Sequence, residues 1–170
     1  CQVLKEFQTL MENLQFPTLR VFATASLRNV SNTAESVALI QEATGLTVDV
    51  LSGIEEGRLS FLGAVQGNGP GNGLLIDLGG ASTELVTYQG RDILSTCSLS
   101  LGSLSLFSRF VAQLHPSKQE RKAIRAQILE QLARHVPQPP AIPHACGVGG
   151  TARAACKVAN LMFQRPQDCR

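Results

Sequence analysis

An α/β architecture in two parts is the fold class this sequence predicts, and three observations predict it. Over residues 1 to 66 the apolar pattern alternates helix, strand, helix, strand, helix, as in a parallel sheet covered by helices. The stretch GNGPGNG, residues 67 to 73, then places four glycines and a proline in seven positions, which neither a helix nor a strand continues through. Beyond it the pattern changes to three successive strands before helices return. The expected organisation is therefore a first lobe over 1–66, a Gly-rich link at 67–73 and a second lobe over 74–170. With 170 residues, 44% of them hydrophobic and 16% charged, the chain has ordinary globular composition.

Each element has a local reason. The opening run VLKEFQTLMENL puts Val3, Phe7, Leu10, Met11 and Leu14 on one helical stripe. Leu19 to Thr24 is a short apolar strand. A helix then opens at Asn32, where the Asn-x-x-Glu spacing to Glu35 fits a capping box, and Gly45 is its expected stop. Val48 to Leu51 is the next strand, and Ser52-Gly-Ile-Glu55 marks another capped start, for a helix carrying Leu59, Leu62 and Val65. LLIDL, TELVTYQ and ILSTCSLSL are three strands joined by Gly-Gly-Ala-Ser and by Gln89-Gly90-Arg91-Asp92, a β-meander whose turns need residues tolerant of positive φ. Helices are expected over Ser103–Leu114 and Ser117–His135. A Pro-rich link, PQPPAIP, leads to a short strand at His144-Ala-Cys-Gly-Val and a helix from Gly149 to about Phe163.

Composition excludes several function classes. The net charge is +2 and the basic residues are scattered; with one Tyr and no Trp there are few stacking platforms, so no nucleic-acid partner is expected. The basic run around Lys118, Arg121, Lys122 and Arg125 reads as a solvated helix face. No apolar run approaches the roughly 20 residues that span a bilayer, and no secretory segment is evident, so no membrane partner is expected. Cys1, Cys97, Cys146, Cys156 and Cys169 are odd in number and lack zinc-site spacing; they read as small apolar residues in a reducing compartment, and the expected location is cytoplasmic. The chain begins with Cys, already in helical pattern, and is expected to be a piece of something longer.

Three strand-to-turn junctions compete as chemical sites: SGIEEGR, DLGGASTE and GVGGT. Each follows an apolar strand, where α/β folds place ligand groups. Two are Gly-rich and carry Ser or Thr, a composition that lets backbone N–H groups converge on phosphate while a hydroxyl adds a donor. Asp77, at the end of an apolar strand, needs a partner for its charge, and a hydrated Mg²⁺ beside phosphate is a natural one. Asp77 as a simple turn cap is the competing reading. Glu84 lies seven residues on, across the hairpin, within reach of the same cavity or facing solvent.

At these residues the sequence resembles a known family. VFATASLRNVSN, TGLTVDVLSGIEEGRLSFLGA, LLIDLGGASTELV, LSLGSLSLF and GVGGTARA follow in the order and spacing of the exopolyphosphatase/guanosine pentaphosphate phosphohydrolase family, Ppx/GppA. The resemblance covers almost the whole chain and is weakest over residues 115 to 143. It implies an actin-like (ribonuclease H-like) ATPase fold, in which two similar α/β lobes close on a phosphoryl group, each lobe being incomplete here. The D-x-GSNS-like loop that opens family members is not in this sequence, so the resemblance implies little or no activity for these 170 residues alone.

The resemblance also assigns roles. It implies that Glu56 is the general base orienting water for attack on a terminal phosphorus, with Glu55 as the helix-cap partner. Asp77 and Glu84 would hold Mg²⁺ or another divalent cation, or its waters. Gly79, Gly80, Ser82 and Thr83 form one phosphate turn, and Gly149, Gly150 and Thr151 another. Arg28 is placed for a bidentate phosphate contact. The implied reaction is phosphoanhydride hydrolysis, with polyphosphate or a guanine nucleotide alarmone as substrate; family members commonly form homodimers. One departure is Ala81, where many members carry a third glycine. GGAST also occurs in the apyrases, which usually have Gln at the position of Glu84 and lack SGxEEGRL; an apyrase-like nucleotide phosphatase is the second reading. A regulator that binds polyphosphate or an alarmone without cleaving it is the third.

Overall fold

A computed structural model of the chain describes residues 1–65, 71–136 and 142–165. Most of the expected link at 67–73, most of the Pro-rich segment and Cys169 lie outside the described residues. The described residues fall into two compact units, Cys1–Ser52 and Gly53–Arg170.

The first unit contains α1 (Gln2–Asn13), β1 (Val21–Ala23), α2 (Ala25–Arg28), α3 (Thr33–Thr44) and β2 (Val48–Val50). The strands pair in parallel, Val21 opposite Val48, with α2 and α3 forming the crossover that a parallel pair requires. The single turn α2 has no periodic signal in the sequence, being too short to show one. Gly45 ends α3 as expected, at φ +71°, the left-handed conformation that glycine adopts without steric cost. The capping box expected at Asn32 does not form: the Asn32 side chain makes no cap hydrogen bond. The Thr33 hydroxyl ties the preceding turn instead, bonding the carbonyls of Leu27 and Val30 at 2.5 and 2.9 Å. In α1 the helical period is as predicted, but Val3, Phe7, Leu10 and Leu14 are exposed and only Leu4, Gln8 and Met11 are partly covered. Gln8 donates to the Thr44 carbonyl at 3.0 Å, fastening α1 to the end of α3.

The second unit begins with α4 (Gly53–Val65), followed by β3 (Asn72–Leu78), β4 (Thr83–Gln89) and β5 (Asp92–Leu99). The meander is present as predicted, with β3 starting two residues early, inside the glycine-rich stretch, but positive φ is used at Gly90 (+59°) in the second turn and at no residue of the Gly79–Ser82 turn. α5 (Ser103–Phe110), α6 (Lys118–His135), β6 (Ala145–Val148) and α7 (Gly149–Met162) complete it. α5 stops four residues short of Leu114, because Val111 turns extended at φ −112°, ψ 117°. Ser117 and Glu120 make a reciprocal capping box at the start of α6. β6 adds beside β3 in parallel, giving the sheet order β5-β4-β3-β6.

Strand alternation divides the second sheet into two faces. One carries Leu75, Asp77, Glu84, Val86 and Tyr88, and α4 packs on it. Phe61 of α4 lies 5.0 Å, ring centre to ring centre, from Tyr88, and with Leu75 and Val86 these form the buried core. The helix assigned by sequence to the end of the first lobe thus shares its core with the second sheet. The opposite face, with Leu74, Ile76, Leu85 and Leu99, borders a cavity of about 800 Å³ under Leu106 of α5 and Leu132 of α6. Among the described residues no helix is long and apolar enough to cross a membrane.

Candidate active site

The face that carries the core becomes polar at one end. Asp77 and Glu84 are direct partners in the antiparallel register of β3 and β4, so their side chains rise from the same face as neighbours. Above them runs the first half of α4, where Glu56 and Ser60 are one turn apart and share a helix face. The Ser60 hydroxyl donates to Oδ2 of Asp77 at 2.6 Å. Gly57, between the two, makes the close approach of helix to sheet feasible: a Cβ there would lie 2.8 Å from Thr96 Cγ2 and 3.2 Å from Val86 Cγ2.

Glu84 is 1% exposed, which excludes the solvent-facing alternative for it. Its carboxyl group is pushed above the usual glutamate range, first by burial and further by the negative charges of Glu56 and Asp77. Hydrogen bonds from Ser98, at 2.8 Å to Oε1, and from Ser82 act in the opposite direction. Asp77 is the register neighbour of Glu84, and Glu56 precedes Gly57, the residue of α4 that packs on Glu84, so the three carboxylates gather at this end of the sheet. Among the described residues, however, no three His, Cys, Asp or Glu side chains gather closely enough to enclose a metal ion by themselves.

Two glycine turns border the cluster. The turn between β3 and β4 folds back by a Gly79 N–H bond to the Ser82 carbonyl, 3.0 Å, and its carbonyls point at α5: Ser103 N–H donates to Gly79 O, while the N–H groups of Leu104 and Ser105 donate to Gly80 O, at 2.9 to 3.0 Å. Among the described residues the N–H groups of Gly80 and Ala81 make no hydrogen bond to a backbone carbonyl. The other turn follows β6, whose Val148 is register partner to Asp77. Gly149 there has φ +89°, and a Cβ on it would lie 3.1 Å from Asp77 Oδ1. Thr151, in the first turn of α7, donates to the Ser103 hydroxyl at 3.2 Å.

The predicted residues therefore divide. Glu56, Asp77, Glu84, Ser82, Gly79 and Gly149 come together around one end of the sheet, with Gly80, Gly150 and Thr151 on the adjoining turns. Thr83 does not share their face: alternation turns it to the opposite side, where its hydroxyl is hydrogen-bonded to the Leu101 carbonyl. Arg28 belongs to the other unit, at the end of α2, and its Nη1 donates to the Leu51 carbonyl at 2.7 Å. Sequence reasoning missed Ser60, Ser98 and Gly102. Ser60 had a signal, its four-residue spacing from Glu56; Ser98 is set by strand register. Gly102 is set by contact: a Cβ on it would overlap the Gly80 carbonyl and the Ala81 nitrogen.

The sequence profile of the Ppx/GppA phosphatase family matches residues 1–168. The chain belongs to that family. Among solved structures, a Ppx/GppA family member from Aquifex aeolicus is 28% identical with a TM-score of 0.72, over 96% of this chain and 52% of its own. An exopolyphosphatase-like protein is 26% identical with a TM-score of 0.83, over 95% of this chain and 52% of that one. An exopolyphosphatase from Cytophaga hutchinsonii, 22% identical with a TM-score of 0.82 over 96% of this chain and 53% of its own, shares the fold. The chain thus spans about half the length of the Ppx/GppA structures it matches, and its α/β fold is the actin-like fold of that family.

Proposed function

We propose that the protein carrying this chain is a phosphoanhydride hydrolase that releases terminal phosphate from inorganic polyphosphate, from the 5′ end of guanosine pentaphosphate, or from both. The observation that carries the reading is the acidic cluster of Glu56, Asp77 and Glu84 set between two glycine turns. Family membership supports a phosphatase.

In this reading Glu56 accepts a proton from water and orients it toward the terminal phosphorus. The N–H groups of Gly80 and Ala81, not consumed by backbone carbonyls, receive phosphate oxygens. Gly149 and Gly150 open the second turn beside Asp77, and Thr151 adds a hydroxyl. Thr83 is withdrawn from this set, since its hydroxyl serves the Leu101 carbonyl.

The donor set suits Mg²⁺ in part: Asp77 and Glu84 are adjacent hard oxygen donors, and Mg²⁺ is commonly held by one or two carboxylates with waters and substrate phosphate completing its shell. When bound, the cation would neutralise charge on the transferred phosphoryl group. Asp77 and Glu84 would hold it, with Ser60 and Ser98 fixing their carboxylates.

The test is phosphate release from long-chain polyphosphate, and from guanosine pentaphosphate, by the whole protein and its Glu56→Gln variant with Mg²⁺. A positioned general base contributes roughly 10²- to 10⁴-fold, so turnover is expected to fall by at least about 100-fold. Undiminished turnover would remove Glu56 from the role.

A further inference from the structure

We propose that Ser103 is a positioning residue that latches the two glycine turns to each other. The proposal rests on the reading of those turns as phosphate turns and adds a residue the resemblance does not assign. Ser103 opens α5 and makes three contacts with two different segments. Its N–H donates to Gly79 O at 3.0 Å, and its hydroxyl donates to the same oxygen at 3.3 Å. That hydroxyl also accepts from the Thr151 hydroxyl at 3.2 Å, from a residue 48 positions further along the chain.

The consequence is directional. With its carbonyl held by Ser103, Gly79 has its oxygen turned toward α5, and the Gly80 carbonyl is turned the same way by Leu104 and Ser105. The N–H groups that follow those carbonyls in the chain, Gly80 and Ala81, share their peptide planes and so face away from α5. Thr151 reports the position of the α7 turn to the same hydroxyl. Ser103 thereby sets one turn relative to the other, and an oligophosphate bridging both meets donors already oriented, which lowers the ordering cost of binding.

The experiment uses amide chemical shifts and tripolyphosphate binding by calorimetry, on Ser103→Ala, Ser103→Thr, Thr151→Val and the Ser103→Ala/Thr151→Val double variant of the full chain. In the wild-type background Thr151→Val is expected to move the Gly79 and Gly80 amide resonances; in the Ser103→Ala background it is expected to leave them in place. Shifts that move equally in both backgrounds would overturn the latch. For tripolyphosphate, Ser103→Ala is expected to weaken binding about 5-fold, the loss typical of one hydrogen bond, with Ser103→Thr restoring it and the double variant no weaker than the worse single. Loss that Ser103→Thr does not rescue, or additive losses, would refute the role. The resonance readout needs no ligand, so a wild-type chain that bound no tripolyphosphate would count against the phosphate-turn reading while the shifts still decided the latch.

Discussion

Replacing Gly102 by Ala isolates the contact on which the geometry of the first glycine turn depends. Gly102 sits at φ −123°, ψ 161°, an extended conformation open to any residue, so alanine meets no backbone penalty there. The added methyl does meet an obstacle, because it would overlap the Gly80 carbonyl group and the Ala81 nitrogen. Those are backbone atoms, held by the α5 hydrogen bonds, and cannot rotate aside like the tip of a side chain. Overpacking typically costs 1–3 kcal/mol, and a rigid obstacle argues for the upper end, about 3 kcal/mol. For a chain of this size that corresponds to a fall in melting temperature of roughly 6–12 °C. The assay is thermal unfolding of wild type, Gly102→Ala and Gly63→Ala. A Cβ on Gly63, inside α4, has no atom within 4 Å, so that substitution is expected to stabilise by roughly 0.5–1 kcal/mol. A Gly102→Ala protein that melts within about 2 °C of wild type would refute the close approach of α5 to the turn.

Two further outcomes follow from the same sheet. Because Glu84 binds its proton more tightly folded than unfolded, its contribution to stability is fully present below the ordinary glutamate value of 4.5 and is lost as pH rises through its higher folded value. Glu84→Gln removes that dependence, so urea midpoints of variant and wild type should diverge in the variant's favour as pH rises above 4.5; parallel profiles would contradict the burial of this charge. Phe61 is 1% exposed against Tyr88, and Phe61→Ala is expected to lower unfolding free energy by about 3–5 kcal/mol, checked by urea denaturation.

Legibility in the sequence followed the range of the interaction. The Gly45 stop and the Gly90 turn are local devices, and the structure contains both. Asn32 carries the same local pattern as Ser117, yet its side chain makes no cap bond, since Thr33 supplies the polar contacts of that turn. Thr83 shows a different failure. Period-two alternation already places it opposite Glu84, and grouping it with Ser82 and Gly80 followed the motif instead of the pleat. The α1 stripe was legible as a helix, whereas which of its sides is covered depends on contacts with α3.

By itself the sequence determined the order of the elements, the glycine turns and the residue types that can handle a phosphoryl group, because these depend on propensity and spacing within a few residues. Only the tertiary structure decided that Asp77 faces Glu84, that Ser60 reaches down from α4, and that β6 inserts the Gly149 turn beside Asp77. These relations join segments separated by up to about 70 positions, and no local preference encodes them; they arise when two faces of one sheet bury their apolar side chains at once. That burial brought Glu84 out of water and its carboxyl group above the ordinary range.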